Sequence, residues 1–296
     1  MSTLYPFSPK SFAINGHAMS YLDEGQGPVV VMLHGNPTWS FYYRNLVLAL
    51  RSEFRVIVPD HMGCGLSAKP QHYPYTLATH IDNLAALITH LKIDDLSLMV
   101  HDWGGAIGMG LACRHPEWIR GLVITNTAAF CSSRIPWRIW LCRVPWLGAL
   151  LVRGLNGFAR PAVTMAVAKK MLPEIAQGYL APYDSWRNRV AVHSFVRDIP
   201  LRPDHVSWPV LANIESSLPK LRFKPMLVLW GGKDFCFDDH FYAQWLKRFP
   251  EARRHYFAEA GHYLLEDAGD EIEPMVRDFF REVQPPGEGE AVWGDG

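Results

Sequence analysis

Residues 101–105 read HDWGG, and this short stretch predicts the local fold around a reactive side chain. It follows the apolar run LSLMV at 96–100 and precedes AIGMGL at 106–111, which is typical of a helix lined with small residues. A strand, a sharp turn and a helix are the setting of the nucleophile elbow, G-x-S-x-G. Here Asp102 stands where that pattern has serine, and Val100 replaces its first glycine. The stretch therefore predicts an elbow that presents a carboxylate.

Composition describes an ordinary globular protein. At 296 residues, with 49% hydrophobic and 20% charged, the chain can form one α/β domain with an insertion, or two domains. Its 29 basic and 29 acidic residues balance, so the total charge gives no reason to expect nucleic acid or an acidic membrane surface as a partner. The five cysteines are scattered and form no CxxC pair, which favours a reducing compartment, the cytoplasm.

Targeting and membrane-spanning segments are not expected. The start MSTLYPFSPK has no basic stretch leading into an apolar core, so it does not resemble a signal peptide. The apolar stretch 135–155 is interrupted by three arginines and two prolines, whereas a spanning helix needs about 20 mostly apolar residues. We expect an amphipathic pair of short helices there, and a disordered tail over 285–296.

Strand and helix patterns alternate along most of the chain. Two strands flank Asn15-Gly16, a strong hairpin signal, and VVVMLHG reads as a strand buried on both faces. The alternation predicts an α/β fold, with a mostly parallel sheet and helices on both faces, formed by residues 1–130 and 215–284. Residues 131–214 interrupt it as a helical cap, with helical patches at AVAKKML (166–172) and SWRNRVAVHSFVRDI (185–199).

Three residues that follow predicted strands stand in the order Asp102, Asp234, His262. A nucleophile, an acid and a histidine occur in this order in hydrolases that carry a nucleophile elbow. A carboxylate can attack a saturated carbon that bears a leaving group and form an alkyl ester. His262 would then activate a water that attacks the ester, and Asp234 would orient the histidine. This chemistry requires neither a metal nor a cofactor.

Other interpretations of these residues remain open. Asp102 alone could be a helix N-cap. Asp238 and Asp239 compete with Asp234 for the acid role, although they lie farther from the strand end and are expected to begin the next helix. The histidines in the neighbouring loops are expected to be hydrogen-bonded structural residues: His34, His61 and His101.

A second loop, LHGNPTW, brings further donors towards the elbow. Its backbone and that of Trp103 would supply paired N–H groups for an oxyanion. The Asn36 amide and the Trp103 indole would add two neutral donors that could hold a leaving anion. Alternatively, Asn36 only forms a turn before proline and Trp103 only packs.

The insertion is rich in tryptophan. These side chains either form a lid that excludes water from an apolar pocket or fill the core of the cap itself, and they could promote homo-oligomer formation. They are Trp137, Trp140, Trp146, Trp186 and Trp208.

Together, LHGNPTWS, VPDHMGCGLSAKP, HDWGG, WGGKD and AGH resemble the haloalkane dehalogenase group of α/β-hydrolases, from about residue 5 to 283. The resemblance implies an α/β-hydrolase fold and hydrolysis of a small apolar haloalkane to alcohol, halide ion and a proton. It implies Asp102 as nucleophile, His262 as base and Asp234 as acid. Asn36 and Trp103 would be the halide-binding pair.

Related activities share parts of this pattern. HDWGG also resembles epoxide hydrolases, which use two cap tyrosines, and Tyr179 and Tyr183 lie in this cap. Those enzymes usually have an apolar or aromatic residue at the position of Asn36. One dehalogenase branch carries a glutamate acid where this chain has Asn126, which cannot serve, and this favours Asp234.

The stretches VITNTAAF and APYDSWRNR…FVRDIPL resemble a third dehalogenase branch, which is also similar to the β-lactone decarboxylases of long-chain olefin biosynthesis. Both groups share the Asp–His–Asp arrangement and the Asn–Trp pair, so these motifs do not separate them. The first expectation is a haloalkane dehalogenase and the alternative a cis-β-lactone (cis-3-alkyl-4-alkyloxetan-2-one) decarboxylase. An inactive receptor is the weakest reading, since no triad member is missing.

Overall fold

A computed structural model describes residues 3–284, and within this range eight strands form one sheet in the order β1-β2-β4-β3-β5-β6-β7-β8. The first two pairings, β1 with β2 and β2 with β4, are antiparallel, and the others are parallel. The strands are β1 (Lys10–Ile14), β2 (His17–Glu24), β3 (Val29–Leu33), β4 (Arg55–Pro59), β5 (Leu96–His101), β6 (Ile119–Thr125), β7 (Met226–Gly231) and β8 (Arg253–Phe257).

Local sequence explains the edge hairpin and the centre of the sheet. Asn15 and Gly16 join β1 to β2 with φ of 50° and 75°, as a two-residue hairpin turn requires. In the centre, every residue of β5 is buried, as are four of the five residues of β3. Continuous apolar runs are what a parallel strand covered on both faces needs.

Helices cover both faces of the sheet, which confirms the predicted architecture. One buried apolar cluster joins the sheet to α2, α3, α9 and α10, and a second joins it to α1 and α11. The helices are α1 (Arg44–Leu50), α2 (Leu77–His90), α3 (Trp103–Arg114), α4 (Trp137–Leu141), α5 (Leu147–Ala149), α6 (Ala159–Met165), α7 (Pro173–Leu180), α8 (Val190–Asp198), α9 (Trp208–Ser217), α10 (Asp239–Arg248) and α11 (Leu264–Val283).

Helices α4–α9 lie between β6 and β7, where the cap is predicted. The division into a core of 1–130 and 215–284 and a cap of 131–214 stays a prediction. Its upper boundary falls inside α9, where the thiol of Cys113 on α3 donates to the Ile214 carbonyl. The predicted tail, 285–296, lies outside the described residues.

The predicted helix over AVAKKML (166–172) is wrong, because these residues are irregular. The Asp267 carboxylate accepts hydrogen bonds from the backbone N–H groups of Ala168 and Lys169, both at 2.8 Å. Leu172 precedes Pro173, which disfavours helical backbone at Leu172. The patch at 185–199 becomes helical only from Val190.

The apolar stretch 135–155 forms two short helices, α4 and α5, and α5 continues as a π-turn over Leu150–Gly154. Across residues 3–284, no helix is both long and apolar enough to cross a bilayer.

Candidate active site

Asp102 occupies a strained elbow between β5 and α3. Its φ of 51° and ψ of −125° lie in a region that side chains rarely adopt. The following turn runs against β3, and a Cβ atom on Gly104 would come within 2.1 Å of the Leu33 carbonyl oxygen. Because only glycine fits there, the small residues of HDWGG allow the sharp turn that presents the Asp102 carboxylate.

The two carboxylate oxygens of Asp102 have different neighbours. Oδ1 accepts a hydrogen bond from the backbone N–H of Asn36 at 2.7 Å, and the backbone N–H of Trp103 lies close to the same carboxylate. A Cβ atom on Gly35 would lie 2.0 Å from Oδ1, so that glycine is needed for the approach. Burial raises the pKa of Asp102, although His262 and these two N–H groups act in the opposite direction.

His262 lies between the two carboxylates, in the loop that joins β8 to α11. Its Nδ1–H donates to Oδ2 of Asp234 at 2.7 Å, and its Nε2 faces Oδ2 of Asp102 at 3.7 Å. Burial opposes the charged imidazolium, but the two carboxylates outweigh it and raise the pKa of His262. The hydrogen bond from Nδ1 to Asp234 fixes the orientation of the ring, so that Nε2 points towards Asp102.

Asp234 is held rigidly after β7. Its Oδ1 accepts the backbone N–H groups of Cys236 at 2.6 Å and Phe237 at 3.0 Å, which leaves Oδ2 for His262. The competing Asp238 instead caps α10 through the N–H of His240. Asp239 begins that helix and accepts a hydrogen bond from the Tyr256 hydroxyl. Of the three carboxylates, Asp234 is therefore the one that contacts the histidine.

Asn36 and Trp103 lie beside Asp102 and line the same cavity. One Nδ2–H of Asn36 donates to the Val192 carbonyl of α8 at 3.1 Å, and Oδ1 is buried with no partner among residues 3–284. The Trp103 ring packs edge-on against Phe195, with centroids 5.2 Å apart. The predicted pair is thus adjacent to Asp102, and helix α8 helps to orient both side chains.

Sequence reasoning missed two residues that hold the elbow. The hydroxyl of Thr127 donates to the Asp102 carbonyl oxygen, and the Asn126 carbonyl accepts the Asp102 N–H at 3.2 Å. The Asn126 amide also exchanges two hydrogen bonds with the backbone of Gly231, at 2.8 and 3.1 Å. These residues connect the end of β6 to both carboxylate-bearing strands. In the sequence, both residues follow directly after the buried strand β6, and this position could have indicated that they lie beside the elbow.

The remaining strand-end histidines are structural, as expected. The Nδ1–H of His34 donates to the Gly35 carbonyl at 2.7 Å, and Nε2–H of His61 donates to the His34 carbonyl at 2.9 Å. His101 donates from Nε2 to the His262 carbonyl at 2.9 Å and stacks on Tyr42. Burial lowers the pKa of all three rings, so they are neutral and unsuited to proton transfer near pH 7.

A cavity of about 450 Å³ opens in front of Asp102, Asn36 and His262. Apolar side chains from the cap and from the core make up most of its wall: Phe130, Trp137, Leu151, Phe158, Val196 and Phe237 among others. Of the five cap tryptophans that the sequence singled out, only Trp137 lines this cavity. The cavity is suited to an apolar molecule whose reactive part reaches the polar end.

The two cap tyrosines are engaged elsewhere. Tyr179 donates to the Glu266 carboxylate, and Tyr183 donates to the Thr38 carbonyl at 3.1 Å. Both side chains are fully buried and neither lines the cavity. Tyr179 and Tyr183 are therefore not placed to protonate an epoxide oxygen in this cavity. Within residues 3–284, no cluster of three or more His, Cys, Asp or Glu side chains has the geometry of a metal site.

Comparison with known proteins gives a consistent family picture. Residues 28–269 match the model of a family described as the alpha/beta hydrolase fold. The solved structure of haloalkane dehalogenase DbeA from Bradyrhizobium elkani superposes with a TM-score of 0.84 and 25% identity, covering 94% of this chain and 98% of that one.

Sequence relatives carry two different names. The chain is 46% identical to the cis-3-alkyl-4-alkyloxetan-2-one decarboxylase of Shewanella oneidensis, over 96% of this chain and 92% of the relative. It is 43% identical to the protein of the same name from Xanthomonas campestris, over 93% and 97% of the two chains. Identity to haloalkane dehalogenase 2 of Mycobacterium tuberculosis is 30%, over 94% and 96%.

Proposed function

The chain belongs to the α/β-hydrolase family, and we propose that it decarboxylates cis-3-alkyl-4-alkyloxetan-2-ones, releasing a cis-olefin and CO₂. Identities of 46% and 43% to two decarboxylases, against 30% to a dehalogenase, support this choice. The sequence motifs had favoured the dehalogenase over the decarboxylase, and these identities favour the decarboxylase instead. The observation that carries the chemistry is the Asp102 carboxylate, held by the backbone N–H of Asn36 at the end of an apolar cavity.

In the first step, Oδ2 of Asp102 attacks C4 of the lactone. A C–O bond forms to Asp102, the ring C4–O bond breaks, and the ring oxygen becomes part of a free carboxylate on C3. Release of four-membered ring strain assists this opening. Oδ1 becomes the carbonyl oxygen of the new alkyl ester and keeps its hydrogen bond from the Asn36 backbone.

In the second step, the bond between C3 and the carboxylate breaks. Its electron pair forms the C3–C4 double bond, CO₂ leaves, and the C4–O bond returns its electrons to Asp102. Attack inverts C4, and an anti elimination then places both alkyl groups on the same side, which gives the cis-olefin. Atoms and charge balance without water and without a proton.

Asn36 and Trp103 would bind the carboxylate that the ring opening releases. The Asn36 amide and the Trp103 indole are neutral donors beside the nucleophile, and neutral donors can hold an anion without the long-range attraction of a charged group. Weak rather than strong binding suits this step, because the carboxylate must lose its charge to become CO₂. The apolar wall of the cavity would hold the two alkyl chains.

Haloalkane dehalogenation is the second candidate, favoured by the position of His262. Its Nε2 lies 3.7 Å from Asp102, close enough to activate a water against an alkyl ester. Both reactions pass through an alkyl ester of Asp102. They differ in the step that releases this ester, which is attack by water in dehalogenation and loss of CO₂ from the substrate in decarboxylation.

A competition experiment separates the two activities. Wild-type protein would be mixed with 1-iodohexane and a long-chain cis-3,4-dialkyl β-lactone, and the extract analysed by gas chromatography and mass spectrometry. We expect the internal cis-olefin as the dominant product. Hexanol with untouched lactone would overturn the proposal in favour of dehalogenation.

A further inference from the structure

The balanced total charge conceals a strong local segregation in the cap. Between residues 131 and 173 every charged side chain is basic: Arg134, Arg138, Arg143, Arg153, Arg160, Lys169 and Lys170. Within residues 3–284, Arg134 is the one member of this set that forms an ion pair, with Asp238. Arg143 and Arg153 are half-buried and donate hydrogen bonds within the protein, and the other five basic side chains are exposed. These five give the segment a positive surface on a chain whose net formal charge is zero.

The same segment exposes large apolar side chains. Trp146 is 90% exposed, Trp137 69% and Trp140 53%, although tryptophan is usually mostly buried in soluble proteins. We call the exposed set the tryptophan ridge: Trp137, Trp140, Trp146, Leu147, Leu150, Leu155 and Trp186.

Basic side chains lie directly on this ridge. The Arg153 guanidinium sits 4.6 Å from the centre of the Trp186 ring, and the Arg138 guanidinium sits 5.3 Å from that of Trp137. Exposed tryptophan interleaved with arginine is the composition that binds the boundary between lipid headgroups and acyl chains.

The ridge also meets the mouth of the active-site cavity. Trp137 is both largely exposed and part of the cavity wall, and Arg138 beside it lines the same opening. Any surface that covers the ridge therefore lies next to the entrance of the cavity.

We propose that the tryptophan ridge docks this protein on an anionic lipid bilayer, with the cavity mouth facing the membrane. The tryptophans would enter the headgroup region, and the basic side chains would face the lipid phosphates. A second copy of the chain fits less well, because a symmetric contact would bring two sets of unpaired positive charges together. If the proposed function holds, the two-chain lactone would enter from the bilayer and the olefin would return to it.

Vesicle flotation of the full chain, without substrate, tests the docking directly. We expect the protein to float with vesicles of phosphatidylglycerol and phosphatidylethanolamine, and to remain free with pure phosphatidylcholine. Binding should weaken as salt rises, because exposed charges are screened. Failure to float with phosphatidylglycerol vesicles at low salt would overturn the proposal.

Two matched pairs of variants locate the surface. Trp146→Ala should weaken binding by roughly tenfold, whereas Phe223→Ala, at a 92% exposed aromatic outside the cap, should leave it unchanged. Arg160→Glu changes the local charge by two, and at about 1 kcal/mol per charge near the membrane this should weaken binding by roughly thirtyfold, whereas Arg222→Glu should have a much smaller effect. Equal losses within either pair would contradict the assigned surface.

The alternative occupant and the proposed function give separate readouts. Concentration-dependent dimerisation that Trp146→Ala abolishes, in a protein that does not bind vesicles, would assign the ridge to a second copy and overturn the lipid proposal. Olefin formation measured in detergent micelles reports on the decarboxylase alone. Trp146→Ala should retain that detergent activity, because Trp146 does not line the cavity.

Discussion

The Nε2 atom of His262 lies 3.7 Å from Oδ2 of Asp102, farther than a hydrogen bond reaches. The other oxygen of Asp102 is fixed by the Asn36 backbone at 2.7 Å. One oxygen is thus held in place, and the other faces the histidine across a gap at the end of the cavity. This asymmetry fits a carboxylate that attacks with one oxygen and keeps its carbonyl oxygen bound.

Replacing Asp102 by asparagine should abolish olefin formation, with a loss of at least about 10³-fold, because the amide is a poor nucleophile of nearly the same shape. The rate of olefin release would be followed by gas chromatography. Asp238→Asn is the matched control and should keep wild-type activity, since asparagine also caps a helix. Substantial activity in Asp102→Asn would exclude Asp102 as the attacking group.

Replacing His262 by phenylalanine should affect the two candidate reactions differently. Turnover of 1-iodohexane should fall by about 10²- to 10⁴-fold, because water is no longer activated, and the intact mass should rise by one hexyl group. Lactone decarboxylation should fall by less than about tenfold, since its steps transfer no proton. An equal, large loss with both substrates would mean that His262 takes part in decarboxylation as well.

A methyl group at Gly35 should displace the Asp102 carboxylate without lining the cavity. Its Cβ would lie 2.0 Å from Oδ1 of Asp102, so the carboxylate must move, and we expect Gly35→Ala to lose roughly 10²-fold in kcat. In Gly269→Ala the new Cβ meets nothing within 4 Å, and activity should be unchanged. Circular dichroism would verify that both variants fold. Normal kcat in Gly35→Ala would contradict the close packing at Asp102.

Activity should fall as the pH is lowered, and the two substrates should differ. Burial raises the pKa of Asp102, and a protonated carboxyl cannot attack, so lactone turnover is lost at a higher pH than an ordinary aspartate would cause. The neighbouring carboxylates raise the pKa of His262 despite its burial, and dehalogenation also needs the neutral imidazole. Haloalkane turnover should therefore decline first on acidification. Identical profiles of kcat against pH for the two substrates would argue against a requirement for neutral His262 in dehalogenation alone.

Sequence patterns predicted the features of this protein that are set by residues close together in the chain. The hairpin follows from Asn15-Gly16, and the elbow follows from the glycines after Asp102, which leave room for β3. Asp234 and His262 were found because parallel strands end at one edge of the sheet, so residues far apart in sequence meet there.

Features set by long-range contacts escaped sequence analysis. AVAKKML has helical composition, but Asp267 from α11 binds the backbone of Ala168 and Lys169 and holds them outside a helix. The bonds from Asn126 to Gly231 and from Thr127 to Asp102 join strands whose pairing is not readable locally. The segregation of basic residues between 131 and 173, by contrast, is readable in the sequence and is missed only when the total charge alone is considered.

Isotope labelling distinguishes loss of CO₂ from attack by water as the step that releases the ester on Asp102. The protein would turn over a cis-3,4-dialkyl β-lactone many times in H₂¹⁸O, and the peptide containing Asp102 would then be analysed by mass spectrometry. If loss of CO₂ releases the ester, we expect cis-olefin together with an unlabelled Asp102 carboxylate. Incorporation of ¹⁸O into Asp102, with a 3-hydroxy acid as product, would show that water hydrolyses the ester and would contradict decarboxylation.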